Sequence, residues 1–289
     1  HIFITQKLPP PPPVSCCNYT YKMFYRYIVA LFLLPAFAYG FSLNMNHIAV
    51  FGGSGKTGAE CVYQALEQGY KVTVLARDPS RVCIPEGSGG AKAGSPFSND
   101  KLNVIQGDVT KAADVSKVFA GGDISGVVVA LGGKTKDVGP TMLTDGTSNV
   151  IKAMKESGTK RVSVVTSIGA GDSEKQAPIF FKALMYTVMR GIFADKNNQE
   201  GLFLNGPGSD LEYCIVRPGG LGVGPPTGVI NVIDGEAGSI QRADVAAFCL
   251  GAVTDPAFEY VRKTPCISSV GGTGWVKSKG KDFDGVTEA

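Results

Sequence analysis

Three glycines at intervals of three, Gly52, Gly55 and Gly58, follow an apolar run, Ile48–Phe51, and precede an amphipathic segment that starts at Ala59. A chain without Cβ atoms at such positions can turn sharply out of a strand and straight into a helix. The turn then gathers backbone N–H groups and the positive end of a helix at one point, where a pyrophosphate can be held. Gly52 permits the turn, Gly55 lets a phosphate approach, and Gly58 lets the helix pack on the strand. Ser54, Lys56 and Thr57 lie inside the same turn, where their side chains can add donors. So short a motif also describes a glycine-rich turn with no ligand. The strand before it, the helix after it and a second apolar strand, Val72–Leu75, favour the phosphate reading.

The second strand ends in Arg77, with Asp78, Ser80 and Arg81 just beyond. An acidic residue at this place binds a ribose 2′-hydroxyl, whereas an arginine suits a 2′-phosphate. Arg77 and Arg81 can form a two-arginine clamp, which favours NADP(H). A shift of one residue to Asp78 would favour NAD(H) instead, so NAD(H) stands as the alternative. Asp108 and Val109 follow the third strand, where a carboxylate can accept a hydrogen bond from an adenine amino group. Ala130, Leu131 and Gly132 end the fourth strand, and Pro218 and Gly219 end the sixth. Ligands of open α/β sheets sit at these carboxyl ends.

The elements that must position these residues alternate along the chain. Short continuous apolar runs occur at Ile48–Phe51, Val72–Leu75, Leu102–Ile105, Gly126–Ala130, Arg161–Thr166 and Leu211–Val216. Such runs suit parallel strands buried on both faces. Helical patterns lie between them at Thr57–Gln68, Ala113–Phe119, Thr144–Ser157, in one long stretch within Phe180–Leu204, and at Arg242–Val253, before a last strand near Tyr260–Ser268. The expected fold is α/β: a doubly wound Rossmann parallel sheet flanked by helices, forming a single domain over residues 45–270. Pro85–Asp100, rich in Gly, Ser, Ala and Pro, reads as a flexible surface insertion, with a functional flap as the alternative. Gly271–Ala289 reads as a polar, mobile tail.

Residues 1–44 read as a leader outside the fold. Met23 opens a short basic stretch followed by an apolar run, Ile28–Ala38, too short to span a bilayer comfortably, with cleavage triplets at Ala36-Phe37-Ala38 and Ala38-Tyr39-Gly40. Phe41 after such a cut resembles the plastid-targeting presequences of algae with secondary plastids. This gives a plastid or secretory destination. A start at Met45 would give a cytoplasmic product, and an uncleaved leader would be the only route to a membrane.

Composition excludes several classes. The chain has 289 residues, 44% hydrophobic and 18% charged, with a net charge of +3. That describes an ordinary globular protein without the basic, aromatic-laced stripe of a nucleic-acid binder. The seven cysteines, at 16, 17, 61, 83, 214, 249 and 266, show no paired zinc spacing, and His47 is the only histidine within the expected fold, so no metal site is expected. Cys61, Cys214 and Cys249 fall in apolar patterns and read as core.

The spacing G-x-x-G-x-x-G, Leu75-Ala-Arg-Asp-Pro-Ser-Arg81, Gly107-Asp-Val109, Thr144–Met154 and Val165-Thr-Ser167 together resemble the atypical short-chain dehydrogenase/reductases, nearest in motif to the biliverdin reductase B (flavin reductase) type and its NmrA-like relatives. The resemblance spans about Asn46–Ser268. It implies an NADPH-dependent reductase of a flat conjugated acceptor such as a flavin, quinone or bilin. It also implies that Ser167, at the end of the fifth strand, contacts the substrate. Lys196 is the counterpart of the lysine that holds the ribose in that superfamily. The superfamily's acid is a tyrosine four residues earlier, and here that position is Ile192. Its absence equally fits a non-catalytic NADP(H)-binding sensor or an assembly subunit, and disfavours an epimerase or dehydratase. Phe180–Gly191, rich in Phe, Leu, Met and Tyr, is an apolar substrate wall, a protein-partner surface or core.

Overall fold

The computed structural model describes residues 47–133, 139–233, 238–269 and 280–282. The leader and most of the tail expected from sequence lie outside the described residues. Six parallel strands form the sheet centre: β1 (His47–Phe51), β2 (Lys71–Ala76), β3 (Leu102–Gln106), β4 (Gly126–Val129), β5 (Arg161–Val165) and β6 (Glu212–Pro218). Their order is β3-β2-β1-β4-β5-β6. Reversal of direction between β1 and β4 opens a crevice at the carboxyl ends of those two strands. This is the doubly wound Rossmann sheet the alternating pattern calls for.

Beyond β6 the sheet continues through β10 (Cys266–Ser268), which is parallel to it, then β8 (Asn231–Ile233) and β11 (Gly280–Asp282). β8 runs antiparallel to both of its neighbours. Gly280–Asp282 thus adds an edge strand within the segment read as a tail. A separate pair, β7 (Gly220–Gly222) with β9 (Ser239–Gln241), lies after β6. These three-residue strands carry too little periodicity to be read from sequence.

Helices cover both faces. α1 (Lys56–Glu67) and α6 (Arg242–Thr254) bury Cys61, Val62, Ala65, Val245, Phe248 and Cys249 against Ile48, Val50, Val72 and Val74. On the other face α2 (Ala112–Phe119), α3 (Met142–Ser157) and α5 (Arg190–Leu204) bury Val115, Val118, Val150, Ile151, Met154 and Phe203 against Ala49, Phe51, Val127 and Val129. Successive residues of β1 therefore feed opposite faces, as a pleated strand buried on both sides must. Cys61, Cys83, Cys214, Cys249 and Cys266 are all free thiols, and burial raises the pKa of Cys214.

Two expectations need correction. The helical stretch within Phe180–Leu204 is two helices, α4 (Ile179–Tyr186) and α5, broken at Thr187–Met189. β-branched Thr187 and Val188 sit at this break, and the Thr187 hydroxyl bonds back to the Ala183 carbonyl at 2.8 Å, a local alternative to continuing the helix. Ile179, Phe180, Tyr186 and Val188 are exposed there, while Met185 and Phe193 are core. Pro85–Asp100 is not a loose insertion. Ile84 and Ser95 hydrogen-bond through the backbone at 2.9 Å, and the carboxylate of Glu60, buried on α1, accepts from the N–H groups of Gly87 at 3.0 Å and Ser88 at 3.2 Å. Composition alone shows the turn formers but not the distant carboxylate that holds them.

The glycine turn is closed by backbone against backbone. Gly52 has φ +93°, and a Cβ there would lie 2.3 Å from the Ala130 carbonyl oxygen. A Cβ on Gly58 would lie 2.1 Å from the Gly52 carbonyl oxygen. Gly201, inside α5, has nothing within 4 Å of its would-be Cβ. Gly58→Ala is therefore expected to cost about 3 kcal/mol, because the atoms it meets are main chain. Gly201→Ala should gain roughly 0.5–1 kcal/mol from helix propensity. Urea unfolding of both variants checks this, and equal effects of the two would contradict the packing assigned to Gly58.

Candidate functional site

A cleft of about 720 Å³ runs along the carboxyl ends of the central strands. Its size falls in the range of small-molecule and cofactor sites, about 300–1,000 Å³. Gly52, Ser54, Gly55, Lys56 and Thr57 form one wall. Arg77 and Arg81 come from the end of β2, Asp108 and Val109 from the end of β3, and Ala130, Leu131 and Gly132 from the end of β4. Lys196 reaches the cleft from α5. Gly58 stands behind the turn as its packing residue.

Besides Gly58, three expected residues are not on the cleft wall. The Ser167 hydroxyl donates to the Ile168 carbonyl at 3.0 Å, and its neighbour Thr166 lines the cleft instead. Pro218 and Gly219 are buried behind it, and Leu221 of β7 faces the cleft in their place. The backbone leaves β5 and β6 one or two residues away from where a strand-end reading puts it. Sequence reasoning also passed over Thr110, Met142 and Arg242. Arg242 had one available signal, a cation at the first position of a helix whose amino end faces the sheet's carboxyl edge.

The acidic residues beside the arginines are occupied. Asp78 caps the short turn Pro79–Arg81, accepting from the Ser80 hydroxyl at 2.6 Å and the Ser80 N–H at 3.1 Å. These bonds, the hydroxyl's first, hold its carboxyl below the usual carboxylate range. Asp78 does not line the cleft, whereas Arg77 and Arg81 on either side of it do. Asp108 accepts from the Thr110 N–H at 3.0 Å and its hydroxyl at 2.9 Å through one oxygen. The Thr110 N–H is the main cause of its lowered pKa, with Arg77 adding to it.

The lysine is positioned by a buried charge network. Lys196 Nζ donates to the Thr166 carbonyl at 2.9 Å. The Thr166 hydroxyl donates to Glu200 Oε1 at 2.7 Å. Glu200, 1% exposed, accepts from Arg217 Nη2 at 2.6 Å and Nε at 3.1 Å. Arg217, 2% exposed, also bonds Asp172 at 2.5 Å. A buried arginine of this kind persists only with carboxylate partners in place. Asp195, next to Lys196, caps the amino end of α3 through the N–H groups of Leu143 at 2.9 Å and Thr144 at 3.0 Å. α5 is thereby pinned at one end of this segment to α3 and at the other to β6.

A side pocket of about 210 Å³ adjoins the cleft at this lysine. Its lining includes Pro140, Leu143, Ile192 and Asp195, together with Gly132, Met142 and Lys196, which it shares with the cleft. Ile192, four residues before Lys196, gives that corner an apolar wall beside the two charged residues. The cradle and its cations fit a dinucleotide: a Cβ at Gly52 or Gly58 would close the turn, and the described carboxylates nearest the arginines are bonded elsewhere.

Residues 52–256 match the model of the NAD(P)H-binding family. The chain belongs to that family. It is 30% identical over 225 residues to an uncharacterized chloroplastic protein of Arabidopsis thaliana, which covers 73% of each chain. It is 27% identical over 184 residues to the chloroplastic protein TIC 62 of Oryza sativa, covering 60% of this chain but only 35% of TIC 62. Among solved structures, ChuY, an anaerobillin reductase from Escherichia coli O157:H7, superposes with a TM-score of 0.59 at 25% identity, covering 79% of this chain and 99% of ChuY. The fold and family are thus those of the reductase-like NAD(P)-binding proteins that the motifs resemble. Among the described residues no helix is long and apolar enough to cross a membrane.

Burial pushes the Lys196 ammonium down from its ordinary value to about 8, against the raising effect of Glu200 and then Asp195. Its charge is therefore present below that pH and lost above it, more than two units before an exposed lysine loses its own. Titration of carbon-13 dimethylated protein by NMR is expected to show one resonance, absent in Lys196→Met, with a midpoint near 8. A midpoint above 10 for that resonance would mean that the ammonium is solvated rather than held in the cleft wall.

Proposed function

We propose that the protein is an NADPH-dependent reductase of a flat, conjugated small molecule such as a flavin, quinone or bilin. The observation that carries the cofactor choice is the divergence at the end of β2. Arg77 and Arg81 line the cleft while Asp78, the residue that would select a 2′-hydroxyl, spends its carboxylate on Ser80. Two guanidinium groups at that place suit a 2′-phosphate, for which they offer charge-assisted bonds.

When bound, the dinucleotide supplies the hydride. The glycine turn and the amino end of α1 hold its phosphates, and Asp108 and Val109 border the adenine end. Lys196 and the backbone of Ala130–Gly132 orient the reacting end. The side pocket beside Lys196, walled in part by Met142, Leu143 and Ile192, receives the acceptor. With Ile192 there in place of an acid, the proton comes from solvent or a bound water, and the chain contributes chiefly position and electrostatics. ChuY's named activity, reduction of a bilin-type compound, supports this acceptor class. The chloroplastic relatives support a plastid location.

A second reading is a non-catalytic NADP(H)-binding sensor or assembly subunit. Ile192 favours it, as does likeness to a segment of TIC 62, with the exposed face of α4 as the partner surface.

Purified protein mixed with NADPH and a panel of flavins, quinones and bilins should oxidise NADPH with at least one of them, followed by loss of nicotinamide absorbance. Tight NADPH binding with no oxidation by any would favour the sensor. Arg77→Ala should weaken NADPH about ten- to a hundredfold, the value of a charge-assisted hydrogen bond, and leave NADH nearly unchanged. Equal loss for both would remove the 2′-phosphate assignment.

A further inference from the structure

Arg242 opens α6 and lines the cleft, yet no motif assigns it a role. Its Nη1 donates to the Leu221 and Gly222 carbonyls of β7, both at 3.0 Å. Among the described residues no hydrogen bond takes up its Nε or Nη2, and it has no ion-pair partner. Two other arginines differ. Arg217 has Glu200 and Asp172, and Arg161 has Glu212 at 2.8 Å. The nearest carboxylate to influence Arg242 is Glu86, which is bonded to Lys56 at 3.1 Å. Arg242 is thus a partly buried guanidinium held at one nitrogen, with its other nitrogens free of hydrogen bonds among the described residues, and it lines the same cleft as the glycine turn.

Its neighbours narrow which phosphate. Arg242 borders two cavities, the main cleft and a chamber of about 180 Å³ under the docked 83–94 segment. Ser54, Gly55, Lys56 and Arg81 border both cavities with it. Gly55 and Lys56 are the N-cap and first residue of α1, and that helix has no acidic residue in its first turn and no side-chain cap. A 2′-phosphate already has Arg77 and Arg81. At the amino end of α1 the cation beside the turn's N–H groups is Lys56, whose ammonium is drawn to Glu86.

We propose that Arg242 binds the pyrophosphate of the dinucleotide from the α6 side, opposite the glycine turn. This rests on the dinucleotide reading above and adds a residue to it. Binding then links β7 to the cofactor, because the same guanidinium holds Leu221 and Gly222 in place. The role is electrostatic and blind to the 2′ position, so Arg242 adds affinity for NADPH and NADH alike.

Calorimetric titration with ADP, 2′-AMP, NADH and NADPH tests this without any turnover. For Arg242→Gln, ADP, NADH and NADPH are expected to weaken by a similar factor, roughly ten- to a hundredfold, while 2′-AMP is unchanged and reports an intact fold. Loss confined to NADPH and 2′-AMP would move Arg242 to the 2′-phosphate and overturn the proposal, as would no change in any ligand. Arg242→Lys keeps the charge on a shorter, flexible stem without the guanidinium's fixed geometry at the two carbonyls. It should retain most of the ADP affinity; a loss as large as that of the glutamine variant would show that Arg242 only holds β7, and would overturn the proposal too. Wild-type protein that binds neither ADP nor NADPH would instead sink the dinucleotide reading itself.

Discussion

Everything at the cleft depends on three pieces of backbone meeting with no side chain between them. The end of β1 at Gly52, the first turn of α1 at Gly58 and the end of β4 at Ala130 approach so closely that a single Cβ would collide with a carbonyl. Only this approach lets the amino end of α1 point across the crevice between β1 and β4. A helix displaced by one methyl group would carry its unpaired N–H groups away from the point where the strand ends converge. Gly53 adds to the constraint, since a Cβ there would lie 2.6 Å from Val74 of β2. The turn is therefore fixed by packing on the sheet, and the cations at its rim inherit its position.

The opposite wall is held by charge instead. α5 carries a helical run in which Asp195, Lys196 and Glu200 face three different partners: the amino end of α3, the end of β5 and the guanidinium of Arg217. Glu200 would be costly to bury alone, and so would Arg217. Together they anchor α5 to β6 and leave the Lys196 ammonium at the cleft with a carboxylate one helical turn away. That arrangement explains how a lysine can be drawn into a desolvated wall and still keep its proton near neutral pH. It also explains why Asp172, itself mostly exposed, matters: it takes the outer face of a guanidinium that has no water to turn to.

Sequence made the cofactor side of this molecule legible and the acceptor side much less so, for a physical reason. The cofactor side is built from local features: a strand, glycines at fixed intervals, a helix, and cations at a strand end. Each leaves its mark within a few residues of Gly52, Arg77 or Asp108. The strands of the central sheet were legible in the same way, as continuous apolar runs. What the sequence hid was long-range. Glu60 docks a segment 27 residues away that composition describes as loose. Arg242 reaches the cleft from the far end of the chain. Thr187 splits what the apolar pattern offers as one helix, and Ser167 turns its hydroxyl onto its own neighbour's carbonyl.

The side pocket shows where such long-range assembly decides chemistry. Its walls come from the loop after β4, the first turn of α3 and the first two turns of α5. Asp195 brings them together, since capping α3 from α5 sets Met142 and Leu143 against Ile192. Ile192 adds apolar surface beside Lys196 at that corner. Asp195 and Lys196 line the same corner, so hydrocarbon and charge meet there.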